Sequence, residues 1–392
     1  MDYHFDHLPV RRGTDSLKWQ RYGVALPLWV ADMDFAAPEP VLTALHDRIA
    51  HAIFGYGAPP DELTETLCAR MADLYQWTVT PEQIVYLPGL VCGLNVACRA
   101  VGEPGDAVLV QTPVYPPFLS APLHQDRQLL TAELTAEHHD GRLYYTFDDA
   151  AFAKVITQNT RLFMLCHPHN PVGRSFDIDE LTRLAAIGEQ HDLVICSDEI
   201  HCDLLLDGQR HIPFATLSPD IAQRCITLMA PSKTFNIAGL GASFAIIQNP
   251  ELRQRFKHAM RGIVPDVNVL ALTAALAAYQ HGGDWLRQLL LYLAANREVL
   301  IDYVDQHLPG VRMTKPEATY LAWLDCREAG IAGNPHEFFV RNAGVAMNDG
   351  ATFGLGGAGF IRLNFGCPRA TLLEGLERMR AALLTAQYGS PP

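Results

Sequence analysis

No stretch of this 392-residue chain stays apolar long enough to cross a bilayer as a helix, so a membrane partner is not expected. No run of lysine or arginine occurs, and the formal net charge is -13. Nucleic acid needs a basic face to neutralise its phosphates, so it is not expected as a partner either. The first residues, Met1-Asp2-Tyr3-His4-Phe5-Asp6, carry acids and lack an apolar core segment, and no signal peptide is expected. The nine cysteines are odd in number and scattered, with Cys166, Cys196 and Cys225 in or beside apolar segments. That favours reduced thiols used as small core residues and fits a reducing, cytoplasmic setting. His167, His169, His201 and Cys202 have no Cys-x-x-Cys or helical His-x-x-x-His spacing around them, so no metal is expected. There is no internal repeat and no low-complexity linker.

What remains is an ordinary globular composition, 49% hydrophobic and 19% charged, over a length that suggests two domains. From residue 84 onwards short apolar runs alternate with helical patterns. Ile84 to Leu87, Ala107 to Gln111, Gln128 to Glu133, Arg161 to Cys166, Leu193 to Ser197, Cys225 to Met229 and Ser243 to Ile247 read as strands. Near-continuous apolar strands separated by helices indicate an α/β fold with a mostly parallel seven-stranded sheet covered on both faces. Residues 250–304 are mainly helical, with a long helix from Asp284. Val311 to Ala386 reads as α+β, with strands at Tyr320 to Leu324 and Phe360 to Phe365. The expected division is an N-terminal segment, 1–50, packing with a small domain; a large domain, 51–285; and a small C-terminal α+β domain, 286–392. The Tyr388-Gly389-Ser390-Pro391-Pro392 tail is expected to fray.

Polar residues gather where strands end. Pro88-Gly89-Leu90-Val91 turns a strand into a helix, whose first N–H groups suit an anion. His167-Pro168-His169-Asn170-Pro171 follows a strand, as does Ser197-Asp198-Glu199-Ile200-His201. Ala230-Pro231-Ser232-Lys233-Thr234-Phe235-Asn236 places a lysine just past a third. Taken singly these read better as turn punctuation, a helix cap and a surface lysine. In a parallel sheet, however, such ends share one edge, where ligands bind. An anion site, an asparagine, an aspartate and a lysine around one crevice are what pyridoxal phosphate requires.

On these residues the chain resembles fold type I pyridoxal-phosphate enzymes, whose fold is aspartate aminotransferase-like. Within them it is most similar to the MalY/PatB group of cystathionine β-lyases. The shared motifs run almost end to end: Arg12-Gly13-Thr14 with Lys18-Trp19, residues 28–35, Thr112-Pro113-Val114-Tyr115, residues 169–174, Ser197 to His201, residues 230–240, and Ile361-Arg362-Leu363-Asn364. The resemblance implies that Lys233 is the Schiff-base lysine and moves the Cα proton. It implies that Asp198 pairs with the pyridine nitrogen, Asn170 bonds the ring hydroxyl and Tyr115 stacks on the ring. Leu90 and Val91 amides and Ser232 would hold the phosphate, with Tyr56 reaching it from the other subunit of a homodimer. Arg362 would grip the substrate carboxylate, with Trp29 and the Ala31 backbone nearby and Asn170 also facing the substrate. His201 would reach the ring oxygen or only pack.

Many related aminotransferases carry an arginine eight residues after the lysine, where this chain has Gly241, and a tyrosine three after the aspartate, where it has His201. Both departures match the lyase group. The activity implied is β-elimination from cystathionine or a related cysteine S-conjugate, giving pyruvate, ammonia and a thiol, which is homocysteine from cystathionine. An aminotransferase on the same fold, or a lyase that also binds a transcription activator, are the alternatives. Gly354-Leu355-Gly356-Gly357-Ala358-Gly359 precedes a strand rather than opening a helix, so it is read as a flexible loop near the site, not a dinucleotide loop.

Overall fold

The computed structural model describes residues 3–388 except Leu8 and Asp140, so the expected fraying after Tyr388 lies outside the described residues. Seven strands form the main sheet: β1 Ile84–Leu87, β2 Ala107–Thr112, β3 Gln128–Glu133, β4 Thr160–Cys166, β5 Val194–Asp198, β6 Cys225–Met229 and β7 Ser243–Ile246. Their order is β1-β7-β6-β5-β4-β2-β3, and β7 alone runs antiparallel to its neighbours. These are the seven strands expected from the apolar runs.

Alternation along each strand feeds two cores. Leu109, Phe163, Leu165, Ile195 and Phe244 pack on one face with Leu63, Leu67, Leu181 and Leu184. Val108, Val110, Met164, Cys196 and Leu228 pack on the other with Leu94, Phe118 and Phe256. Burial on both faces leaves no polar side on the inner strands, which is why they read as continuous apolar runs, while the edge strand β3 is only part-covered.

A second sheet lies further along the chain: β8 Arg312–Met313, β9 Leu321–Asp325, β10 Asn348–Asp349 and β11 Phe360–Asn364, in the order β8-β9-β11-β10. Ile361, Leu363 and Leu324 pack with Leu289, Leu293 and Leu300 of the helix Gly283–His307 and with Leu376 and Met379 of the helix Arg369–Tyr388. Leu28, Met33 and Phe35 of the N-terminal segment join this core, and Leu26 pairs with Val345. The strands Thr135–His139 and Arg142–Thr146 form an antiparallel hairpin that periodicity did not reveal. Its first strand is exposed throughout, so it has no apolar face to announce it.

The segment 28–36 threads between the two sheets and is anchored by buried charge. The Asp34 carboxylate is fully buried and accepts from Lys18 Nζ at 2.8 Å, Trp19 Nε1 at 3.0 Å and Arg11 Nη1 at 2.5 Å. Lys18, 1% exposed, also donates to Asp32 O at 3.0 Å. Removing one partner of such a cluster strands the other charge. Asp34→Ala is therefore expected to cost ~3–5 kcal/mol, read as a fall in urea midpoint with an unchanged slope. A midpoint within error of the wild type would refute that anchoring role.

Candidate active site

Strand register assembles the site. Cys166 is registered with Asp198, and Asp198 with Leu228. The turns leaving β4, β5 and β6 therefore open side by side at one sheet edge. The β1 end joins them through β7, where Leu87 pairs with Ser243. A cavity of about 390 Å³ lies there, lined by Gly89, Leu90, Val91, Tyr115, Asn170, Asp198, His201, Ser232 and Lys233 from the large sheet's side. Trp29, Ala31, Asn348, Phe353 and Arg362 close it from the other.

The helix Leu90–Ala100 begins at Gly89 with no side-chain cap. Some helices are capped, as where Asp177 accepts from Glu180 N and Asn268 from Ala271 N, and others, such as Asp61–Tyr75, are not; the start at Gly89 is uncapped and lines the cavity. An uncapped start leaves N–H groups for an anion. The two acids expected at the end of β5 separate cleanly. Asp198 faces the cavity, with Oδ1 accepting from Ile200 N at 3.1 Å. Glu199 turns away and is satisfied by Ser197 Oγ at 2.8 Å, Phe214 N at 3.0 Å and His211 Nε2 at 2.7 Å.

Arg362 is 3% exposed. Its Nη1 donates to Asn170 Oδ1 at 2.9 Å, and its Nη2 to Asn348 Oδ1 at 2.7 Å and Trp29 O at 3.2 Å. The guanidinium sits 5.0 Å from the centre of the Phe353 ring. Its acceptors are neutral and its buried Nε has no partner, which leaves it free to take a carboxylate. Lys233 Nζ donates to Ala31 O at 2.6 Å and has no ion-pair partner among the described residues.

Electrostatics follow from this enclosure. Lys233 is half-buried, but the surface it exposes is cavity wall, not bulk solvent. Burial, then the nearby Arg362 cation, push its amine down to about 8 against the opposing pull of Asp32 and Asp198. Burial pushes the Asp198 carboxyl up to about 7. His201, 2% exposed, is pushed down to about 3 by burial and by Lys233 and Arg362, so its imidazole is neutral near pH 7. The Arg362 guanidinium is lowered to about 10 by burial and stays charged.

These residues fit pyridoxal phosphate, judged by the donor set itself. An unpaired amine can anchor the aldehyde, and a buried carboxylate can meet the ring nitrogen. Asn170, its Oδ1 taken by Arg362, keeps Nδ2 for the ring oxygen. Tyr115 offers a flat face, and the uncapped helix with Ser232 suits a phosphate.

Residues 26–379 match the aminotransferase class I and II family. The chain belongs to that family. Cystathionine beta-lyase PatB of Bacillus subtilis (strain 168) is 42% identical over 97% of this chain and 100% of its own length. The crystal structure of OvoB aligns with a TM-score of 0.92 and 46% identity, covering 97% of this chain and 99% of that one. The PLP-bound C-S lyase from Staphylococcus hominis aligns with a TM-score of 0.92 and 36% identity, covering 98% and 99%.

Within this aminotransferase-family fold, Gly241 has a physical reason. Its φ is +74°, and a Cβ there would stand 2.7 Å from Pro88 O, beside the uncapped helix start. No arginine fits that backbone without moving the turn. Tyr56 stands apart from the other expected residues: it is fully exposed and does not line the cavity. The glycine-rich loop is packed, with Gly354 facing Thr112 and Leu119 and Gly357 against the Gly350 backbone. Asn348, Phe353 and Tyr320 escaped the sequence reading. They lie more than a hundred residues beyond Asp198 and carry no local signature. Only the pairing of β11 with β9 and β10 brings them in.

The raised Asp198 carboxyl has a consequence for stability. Between about pH 4 and 7 the unfolded chain gives up this proton while the folded chain keeps it. Stability is thereby lost as pH rises through that window. In cofactor-free protein, Asp198→Asn should match the wild type near pH 4 and exceed it progressively up to pH 7, by an order of a few kcal/mol. Urea unfolding across that range measures it, and a pH-independent difference would refute it.

Proposed function

We propose that this protein is a pyridoxal phosphate-dependent carbon–sulfur β-lyase. It cleaves cystathionine or a related cysteine S-conjugate to pyruvate, ammonia and a thiol. The observation that carries the reading is one cavity holding an unpaired lysine, a buried aspartate and a guanidinium free to take a carboxylate. Pyridoxal phosphate, when bound, supplies the electron sink for the bond changes at Cα and Cβ.

The chain's own residues do the rest. Arg362 holds the α-carboxylate, and its acceptors Asn170, Asn348 and Trp29 O fix the fork's plane. Asp198 keeps a proton on the ring nitrogen. Lys233 takes the proton from Cα. At pH 7 an amine with a pKa of about 8 is neutral in about one molecule in ten, against roughly one in three thousand for an ordinary lysine at 10.5. The wall beyond Arg362 is mostly apolar, with Trp29, Val30, Ile200 and Phe353, and offers no further cation among the described residues. That favours a thioether side chain over a second carboxylate, and so cleavage over amino transfer from a dicarboxylic amino acid. PatB and the staphylococcal C-S lyase support the same reading.

We read the active protein as a cytoplasmic homodimer with its active site at the subunit interface. Nine free thiols support the compartment. Exposed Ile49, Ile53, Phe54 and Tyr56 support a second copy covering that segment, with Tyr56 reaching the other copy's phosphate site. We keep residues 51–285 as the cofactor-binding domain and 286–392 as the small domain, with 1–50 packing against it.

A panel of cystathionine and S-substituted cysteines, assayed for pyruvate and thiol, tests the reaction. Wild-type protein should turn over, and Lys233→Ala should lose roughly 10²–10⁴-fold in rate. Holoprotein that binds the cofactor but releases neither product from any of them would sink the reading. Amino transfer to a keto acid from aspartate would replace it with an aminotransferase. For the dimer, sedimentation should give twice the chain mass, and Tyr56→Phe should weaken cofactor affinity about tenfold. A monomeric active holoprotein would refute the shared site.

A further inference from the structure

Two donors converge on one carbonyl in the cavity wall. Lys233 Nζ lies 2.6 Å from Ala31 O, and Tyr320 Oη donates to the same oxygen at 2.9 Å. Tyr320 is fully buried, immediately ahead of β9. The neighbouring carbonyls are engaged too. Trp29 O takes Arg362, while Asn364 Nδ2 donates to Val30 O at 2.6 Å and Asp32 O at 2.7 Å. Four successive carbonyls are thus held by side chains from the second sheet's side of the cavity.

We infer that Tyr320 is a positioning residue, whose hydroxyl sets, through the Ala31 carbonyl, where the free Lys233 amine sits when it takes the Cα proton. The inference rests on Lys233 acting as that base, a step that β-elimination and amino transfer share. A carbonyl oxygen has two lone pairs. Tyr320 occupies one, so Nζ approaches along the other and from one direction. The second donor also draws electron density from the oxygen, making it a poorer partner for an ammonium than a lone carbonyl. The base and the carboxylate clamp are referenced to the same stretch of backbone, since Trp29 O fixes Arg362 and Ala31 O fixes Lys233.

The charged and titratable groups around Lys233 are Asp32 on the same segment, Asp198 at the end of β5, His201 after it, Arg362 on β11 and Tyr115 beside the cavity. Tyr320→Phe changes none of them and keeps the ring.

The test follows exchange of the Cα proton of L-alanine with D₂O, by NMR, in the holoenzyme. Alanine has no leaving group, so the assay stands whether or not S-conjugates are cleaved. Tyr320→Phe should lower the exchange rate about tenfold, the worth of one hydrogen bond, with alanine affinity and cofactor content within about twofold of wild type. Its acid limb should move to higher pH, because the lone carbonyl now favours the ammonium. Site-specific 3-fluorotyrosine at 320, a stronger donor of nearly the same shape, should move the limb to lower pH. An unmoved limb in folded, loaded Tyr320→Phe overturns the proposal. So does a loss of cofactor and melting temperature with the limb in place, the mark of a purely structural role. If the phenylalanine variant does not fold, the direction of the fluorotyrosine shift decides, and no shift overturns it.

Discussion

An ammonium, a guanidinium and a carboxylate enclosed together without a salt bridge among them is the condition that orders everything nearby. An isolated buried charge costs several kcal/mol, and the fold meets that cost in two ways. Lys233 and Asp198 move their pKa values towards each other, so that each spends more of its time neutral. Arg362 cannot give up its proton near neutral pH, and it is instead surrounded by Asn170, Asn348, a main-chain carbonyl and the face of Phe353. A neutral amine is a base and a clamp with no counter-anion is a carboxylate receptor. The chemistry grows out of the way the charges are tolerated.

The same condition ties stability to function through the segment 28–36. At one end Asp34, fed by Lys18, Trp19 and Arg11, fixes the segment with a fully satisfied carboxylate. Asn236 joins it from just beyond Lys233, accepting from Met33 N at 2.9 Å and donating to Phe35 O at 2.8 Å. A cluster that looks like ordinary structural glue therefore determines the position of the carbonyls that meet Lys233 and Arg362. Asp34 and Glu199 are fully paired, while Arg362 Nε in the cavity wall is left without a partner.

Legibility in the sequence tracked burial. The inner strands of the main sheet stood out because both faces are covered, and the part-exposed edge strand Gln128–Glu133 through its Leu129-Leu130 pair, whereas the hairpin at residues 135–146 did not, being polar and exposed on its first strand. The site was legible wherever a strand end names its own residue, as with Asp198 and Lys233. The choice of Asp198 over Glu199 came from the family resemblance and not from the local pattern, because adjacent positions at a strand end differ only by the pleat. Tyr320 and Asn348 were out of reach for a different reason. Their place depends on how the second sheet is seated over the first, and no local pattern encodes that. Gly241 was noticed as a missing arginine; the backbone conformation that forbids one became visible only in three dimensions.

The wall that meets the lysine and the arginine is main chain, and this separates what residues 29–32 are from how many of them there are. Replacing Val30 with another side chain leaves every one of those carbonyls in place. Adding or removing one residue there puts Trp29 O and Ala31 O out of step with their partners, one of them on either side of the cavity. Substitution at Val30 would leave that backbone register intact, while a single-codon insertion or deletion would break it at once.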